Sequence, residues 1–171
     1  MGYHCQQVSL SPDTRRENRD LALTLMLKHL GEDFVGVVHF EIADPAFADI
    51  KPTTWRDLKD DYLVEANSTN TSYRYALTGL GWRTALELNW DQSIQDRLSR
   101  LSAALKQTVK GRQSDCFENP ETIANANGLS VGWVSNAIES NILDYKFNMK
   151  GATWYENGRS LIVIPINFGL R

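Results

Sequence analysis

Few of the side chains that perform catalysis lie close together along this chain. Acidic residues cluster once, in the stretch RDLKDDYLVE (56–65), where Asp57 and Asp61 would lie one turn apart on a predicted helix. No histidine or cysteine accompanies them, and a solvated helix face explains the pair adequately. The histidines show none of the spacings typical of metal ligands: His4, His29 and His39. We therefore expect no metal and no cofactor, and predict that the protein is not an enzyme.

The composition is that of a globular chain with one domain or two small ones. The 171 residues are 42% hydrophobic and 23% charged, and no apolar run reaches the roughly 18 residues that span a bilayer. The first residues lack an export signal, so we expect a cytoplasmic protein with no membrane attachment. The net charge of −3 argues against a strong, sequence-independent nucleic-acid binder. The charge is uneven, because residues 34–66 sum to −4 and residues 91–112 to +3.

The stretch IANANGLSVGWVSNAIESNI (123–142) has the pattern of two short helices around a tight turn. Gly128 suits a turn with positive φ, which glycine adopts cheaply, and Ser130 can cap the second helix. Asn119 and Pro120 suit the start of the first helix. The second helix would then bury one apolar stripe, formed by Val134, Ala137, Ile138 and Ile142.

This stretch resembles the bacterial helix-turn-helix pattern, which runs apolar-Ala, three residues, Gly-Leu-Ser, three residues, Val-Ser. It departs at Asn127, where the family usually has an apolar residue. Asn157-Gly158 follows, a strong two-residue hairpin signal between ATWY and SLIVIPI. A helix-turn-helix followed by a hairpin resembles a winged helix.

The first half of the chain resembles a winged helix-turn-helix as well, over about residues 14–90. A helix predicted from a capping box at Thr14 is followed by FVGVVHFEI (34–42), either a strand or a loop, and by a short helix or turn around AFADI. Thr53 or Thr54 can cap a helix through WRDLKD. YLVEA and YRYALT then flank the polar loop NSTNTS as a hairpin, and Thr78 can cap the next helix. The predicted fold is α+β, with tandem winged helix-turn-helix units over 1–90 and 91–171.

A long helix over 91–111, capped by Asp91 or Ser93, would join the two units. Its apolar residues are spaced 4, 3 and 4, which makes one narrow seam of Ile94, Leu98, Leu101 and Leu105. The seam either packs against its own domain or forms a dimer, and we predict a homodimer built on it. The basic residues of this helix are off the seam: Arg97, Arg100, Lys106 and Lys110.

The resemblance implies a non-catalytic protein that binds double-stranded DNA sequence-specifically, in transcription regulation. The predicted contacts lie on the two second helices and the two hairpins: Arg56, Lys59, Arg74, Ser130, Trp133, Ser135, Asn136 and Arg159. The second unit's helix has no Arg or Lys facing outward, although Arg to guanine is the commonest specific base contact. The alternative function is a protein–protein interaction module of a larger assembly, where an exposed Trp133 or Trp154 would suit the interface.

Overall fold

The computed structural model describes residues 12–30, 40–41, 44–68, 73–147, 152–156 and 159–164. In chain order the first elements are α1 (Pro12–Leu30), β1 (Phe40–Glu41), a 3-10 turn (Pro45–Phe47), α2 (Pro52–Asp60), β2 (Val64–Ser68), β3 (Tyr73–Leu77) and α3 (Gly79–Leu88). The remaining elements are α4 (Gln92–Val109), β4 (Cys116–Glu118), α5 (Pro120–Asn127), α6 (Val131–Glu139), α7 (Ile142–Phe147), β5 (Ala152–Glu156) and β6 (Arg159–Ile164). The architecture is α+β. In the described part of the chain, no helix has both the length and the apolar character needed to cross a bilayer.

The first sheet is antiparallel with strand order β1-β3-β2. The pairing of β2 with β3 runs from Val64 opposite Leu77 to Ser68 opposite Tyr73, so the predicted hairpin is confirmed. Residues 69–72 between these strands lie outside the described part. Of the ambiguous stretch 34–42, residues Phe40 and Glu41 form β1, and the others are not described.

The second sheet repeats this arrangement, with strand order β4-β6-β5. Glu156 pairs with Arg159, as expected for a hairpin closed by the next two residues, although Asn157-Gly158 itself lies outside the described part. Strand β4 was not predicted from the sequence, because three residues are too few to show an alternating pattern. Its pairing partner, β6, lies more than 40 residues further along the chain, with Cys116 opposite Ile164.

Both halves therefore have the same order of elements and the same strand order. Each runs helix, strand, helix, helix, strand, strand, and each sheet places its third strand between the first and the second. The first half uses the 3-10 turn as its second helix and is followed by α3, whereas the second half adds α7 after its third helix. This repetition is seen in the order of the helices and strands, and it is not inferred from sequence similarity between the two halves of the chain.

Most of the predicted helix starts are confirmed. The side chains of Thr78, Asp91, Asn119 and Ser130 each accept a hydrogen bond from a backbone N–H in the first turn of α3, α4, α5 and α6. Two predicted starts are wrong, because α1 begins at Pro12 and α2 at Pro52. Proline has its φ already set for a helix and has no N–H that would need a cap, so each helix extends to its proline.

Two hydrophobic clusters form the interior, and α3 contributes to both. Ala85 packs in the first cluster with residues of α1, α2 and β2, while Trp82 and Leu86 pack in the second with α4, α5 and α6. At the end of α3, the Asn89 side-chain amide donates to the hydroxyl of Thr24 in α1, at 3.1 Å. The helix that ends the predicted first unit is thus also part of the second core.

The apolar seam of α4 lies inside that second core. Leu98 and Leu101 are 0% exposed, and Ile94 and Leu105 are also buried within the same chain. The prediction of a homodimer built on these four residues is therefore wrong, and the alternative, that they pack against their own domain, is correct. Side chains that already contact β-strands and helices of their own core have no surface left for a second copy.

Candidate nucleic-acid interface

The tight turn predicted between two short helices is present between α5 and α6. Gly128 ends α5 with φ 62° and ψ 38°, and the Leu129 N–H donates to the carbonyl of Ala124 at 3.0 Å. Ser130 then caps α6, its hydroxyl accepting a hydrogen bond from the N–H of Trp133 at 3.2 Å. Ile123 and Ala124 are buried between the helices, as the pattern predicted.

Asn127, where the sequence departs from the helix-turn-helix pattern, is satisfied by hydrogen bonds. Its side-chain amide donates to the carbonyl of Ile123 at 2.7 Å, and its own carbonyl accepts from the guanidinium of Arg100 at 3.2 Å. The side chain is half-buried. A polar residue is tolerated here because its donor is paired within the helix instead of being buried without a partner.

Trp133 is not available as an outward contact. It is 6% exposed, and its ring packs edge-on against that of Trp82, with centroids 5.9 Å apart. The guanidinium of Arg97 lies 5.6 Å from the same ring. The prediction that Trp133 contacts DNA is wrong, because the first turn of α3 and the side of α4 enclose the indole.

The rest of α6 is also largely covered. The N-terminus of α3 approaches the C-terminus of α6 so closely that a Cβ on Gly79 would lie 3.0 Å from the carbonyl oxygen of Glu139. Ser135 and Asn136 are half-buried, and Glu139 is the one α6 side chain classed as exposed. The second unit thus uses most of the surface of its second helix for contacts within the chain.

This contact between α3 and α6 was missed from the sequence. A usable signal was present in GLGW (79–82), since two glycines in the first turn of a helix are costly unless a neighbour approaches closely. At Gly81 a Cβ would lie 1.8 Å from the carbonyl oxygen of Leu63, and at Gly79 it would crowd α6. Both glycines therefore mark backbone contacts, one within the first unit and one between the units.

Helix α2 of the first unit presents a different surface. Its buried side is Thr54, Trp55 and Leu58, and the Trp55 ring stacks on that of Tyr75 in β3 at 5.1 Å with an interplanar angle of 14°. Arg56 and Lys59 are consequently exposed on the other side, together with Thr53. Within the described residues, neither Arg56 nor Lys59 forms an ion pair.

Acidic residues lie near these bases, but one of the acidic residues is already paired. Asp61, just after α2, forms a salt bridge with Arg19 of α1. Asp60 is exposed and Asp57 is half-buried. The pairing of Asp61 removes part of the repulsion that the acidic residues around α2 would exert on a phosphate.

Of the two arginines predicted on the hairpins, the structure describes the side chain of Arg74 but not that of Arg159. Arg74 is exposed on β3, opposite Asn67 in the register with β2 and opposite Glu41 in the register with β1. Arg159 is the first residue of β6, but its side chain lies outside the described part. The same holds for Trp154 in β5, so the predictions for Arg159 and Trp154 stay predictions.

The described residues contain no group of three or more His, Cys, Asp or Glu that could hold a metal ion. Cys116 is a buried free thiol. No protein-family model, curated protein or solved structure matches the chain. The functional interpretation therefore depends on the chain's own residues and their arrangement.

Proposed function

We propose that the protein is a non-catalytic, sequence-specific DNA-binding protein of transcription regulation, built from two winged helix-turn-helix units in tandem. The strand order repeated in both halves supports this fold, as does the turn at Gly128 with its left-handed backbone. In each half a hairpin follows the helix that would enter the groove. A helix fits the major groove of B-form DNA, and the hairpin can contact the adjacent backbone.

The exposed face of α2 is the observation that carries the proposal. Trp55 anchors the helix on Tyr75, so Arg56 and Lys59 face solvent without ion pairs among the described residues. An arginine can bind guanine through two hydrogen bonds, and a lysine can neutralise a phosphate. Arg74, on the hairpin that follows α2, is suited to a phosphate contact.

The second unit has a supporting role in this proposal. Its α6 packs on α3, its Trp133 is buried, and the hydroxyl of Ser130 accepts a hydrogen bond from its own helix. We therefore assign sequence recognition to the first unit and hold Ser135 and Asn136 to be minor contacts. Asn136→Ala should leave the preference among duplexes unchanged, whereas Arg56→Ala should relax it.

The test is fluorescence anisotropy with a mixed pool of duplexes at 50 mM and 200 mM salt. The Arg56→Ala/Arg74→Ala variant should bind more weakly and lose about 0.9 from the salt slope for each phosphate contact removed. Arg15→Ala/Lys28→Ala is the matched control, since both side chains are exposed on α1 and the change in net charge is the same. If no duplex binds below about 10 μM at 50 mM salt, a concentration at which even non-specific binders associate, the proposal is wrong.

The second candidate function is a protein-interaction module. It is favoured by exposed apolar side chains on and just after α3, namely Leu80, Leu88 and Trp90. Large aromatic and aliphatic side chains of this kind anchor protein interfaces. A homodimer would use such a surface in place of the buried α4 seam. Sedimentation of the wild type and of Leu80→Glu/Leu88→Glu at tens of micromolar would detect self-association through this face.

A further inference from the structure

Positive charge is concentrated in one segment of the chain. Residues 97–112 contain five of the 18 Lys and Arg residues and none of the 21 Asp and Glu residues. They form most of α4 and the turn that follows it. The remainder of the chain is strongly acidic, so this segment is the part that would attract a polyanion.

The packing of α4 places these bases on the surface. The helix buries Leu98, Leu101 and Leu105 in the second core, so Arg100 and Lys106 lie outside the buried seam, while Lys110 caps the end of the helix and Arg112 follows in the turn. Arg100, Lys106, Lys110 and Arg112 are all exposed, whereas Arg97 is half-buried beside Trp133. The burial of the apolar seam therefore leaves Arg100 and Lys106 in solvent, and Lys110 and Arg112 are exposed just beyond the helix.

Among the described residues, none of these four charges is paired with an acid. Within the described residues, Lys106, Lys110 and Arg112 form no ion pair, and Arg100 donates to a backbone carbonyl, that of Asn127, which carries no net charge. The nearest acids along the chain, Asp96 and Asp115, lie beyond the two ends of the segment. Arg100 and Lys110 are about 15 Å apart along the helix axis, so the charges are spread along the segment instead of lying at a single point, and we call these four residues the row.

We propose that this row, Arg100, Lys106, Lys110 and Arg112, is a second DNA-contact surface that binds the phosphate backbone. The inference rests on the proposed DNA-binding function and adds to the α2 face a contact that does not depend on sequence. Lysines on flexible stems suit phosphates along a duplex, because they neutralise charge without requiring one orientation. This surface would supply affinity, while α2 would supply discrimination.

The experiment compares two triple variants with the wild type. Lys106→Gln/Lys110→Gln/Arg112→Gln removes three charges from the row, and Arg15→Gln/Arg16→Gln/Lys28→Gln removes three exposed charges from α1. Binding to a duplex selected from the pool and to a mixed-sequence duplex is measured by anisotropy from 50 to 300 mM salt. Circular dichroism checks that the variants remain folded, which is expected because all six side chains are exposed.

The row variant should lose about 2.7 from the slope of log Kd against log salt, and the α1 variant less than about 0.5. The row variant should weaken binding to both duplexes by the same factor, so that the ratio between them is unchanged. Equal effects of the two triple variants would overturn the assignment of the row while leaving the DNA-binding proposal intact. A wild type that binds neither duplex would overturn both. Binding of polyglutamate as tightly as DNA, lost in the row variant, would assign the row to an acidic protein instead.

Discussion

The indole rings of Trp82 and Trp133 meet edge to face, with centroids 5.9 Å apart and an interplanar angle of 73°. This contact joins α3, the last helix before α4, to α6, the helix that follows the turn at Gly128. Edge-to-face geometry places the positive edge of one ring against the negative face of the other. Trp82 and Trp133 are 51 residues apart in the chain, and their contact packs α3 against α6. Helix α6 thus contributes to the packing of the fold.

The Trp82–Trp133 contact should appear as an energetic coupling. In a double-mutant cycle with Trp82→Ala and Trp133→Ala, each single change should cost about 3–5 kcal/mol of unfolding free energy. The double variant should show a coupling of about 0.5–1.5 kcal/mol, measured by urea unfolding. Trp90→Ala, an exposed tryptophan, is the control and should cost much less. Strict additivity of the two single changes would contradict the contact.

The two glycines that begin α3 should differ in sensitivity. In Gly81→Ala the new Cβ would lie 1.8 Å from the Leu63 carbonyl oxygen, so backbone must move and about 3 kcal/mol or more should be lost. In Gly79→Ala the distance to the Glu139 carbonyl oxygen is 3.0 Å, and the loss should be smaller. Thermal unfolding followed by circular dichroism would measure both. The same melting temperature for the two variants would show that the close approach at Gly81 does not exist.

Gly128→Val should destabilise the turn between α5 and α6 through the backbone conformation at this position. A Cβ at this position meets no neighbouring atom within 4 Å, so the expected loss comes from the backbone conformation. A β-branched residue with φ near 62° should nevertheless cost more than about 1 kcal/mol. Gly128→Asn is the control, because asparagine tolerates the left-handed region better. An unchanged melting temperature for the valine variant would place Gly128 in an ordinary loop.

Leu98→Lys should unfold the second unit instead of separating a dimer. The side chain is 0% exposed in the chain's own core, and an unpaired charge there cannot be hydrated. We expect a loss of several kcal/mol, seen as a large drop in the urea midpoint. Ser99→Lys adds the same charge at the neighbouring exposed position and should leave the midpoint nearly unchanged. A Leu98→Lys variant that folds normally and differs from the wild type only in sedimentation would support the prediction of a dimer through the seam.

Local features of the sequence were sufficient for much of the fold. Caps at Thr78, Asp91, Asn119 and Ser130 lie where hydroxyl, carboxylate and amide side chains can bond the first turn of a helix, and they were predicted correctly. The turn at Gly128 and the pairing of β2 with β3 were also predicted correctly, because they too depend on short local stretches of sequence. In each case the preference belongs to a few consecutive residues, or to two strands joined by a short loop.

Only the tertiary structure decided which apolar faces meet. The seam of α4 has the same periodicity whether it packs in a core or in a dimer, and only the packing of the folded chain shows that Leu98 lies in its own core. The sequence likewise did not show that Trp133 is buried, because its partner Trp82 is 51 residues away in the chain. Hydrophobic burial is non-directional, so a pattern shows that a face will be covered but not by what. The covering of α6 by α3, and with it the shift of the candidate DNA contacts to α2 and to the basic row of α4, followed from that long-range packing.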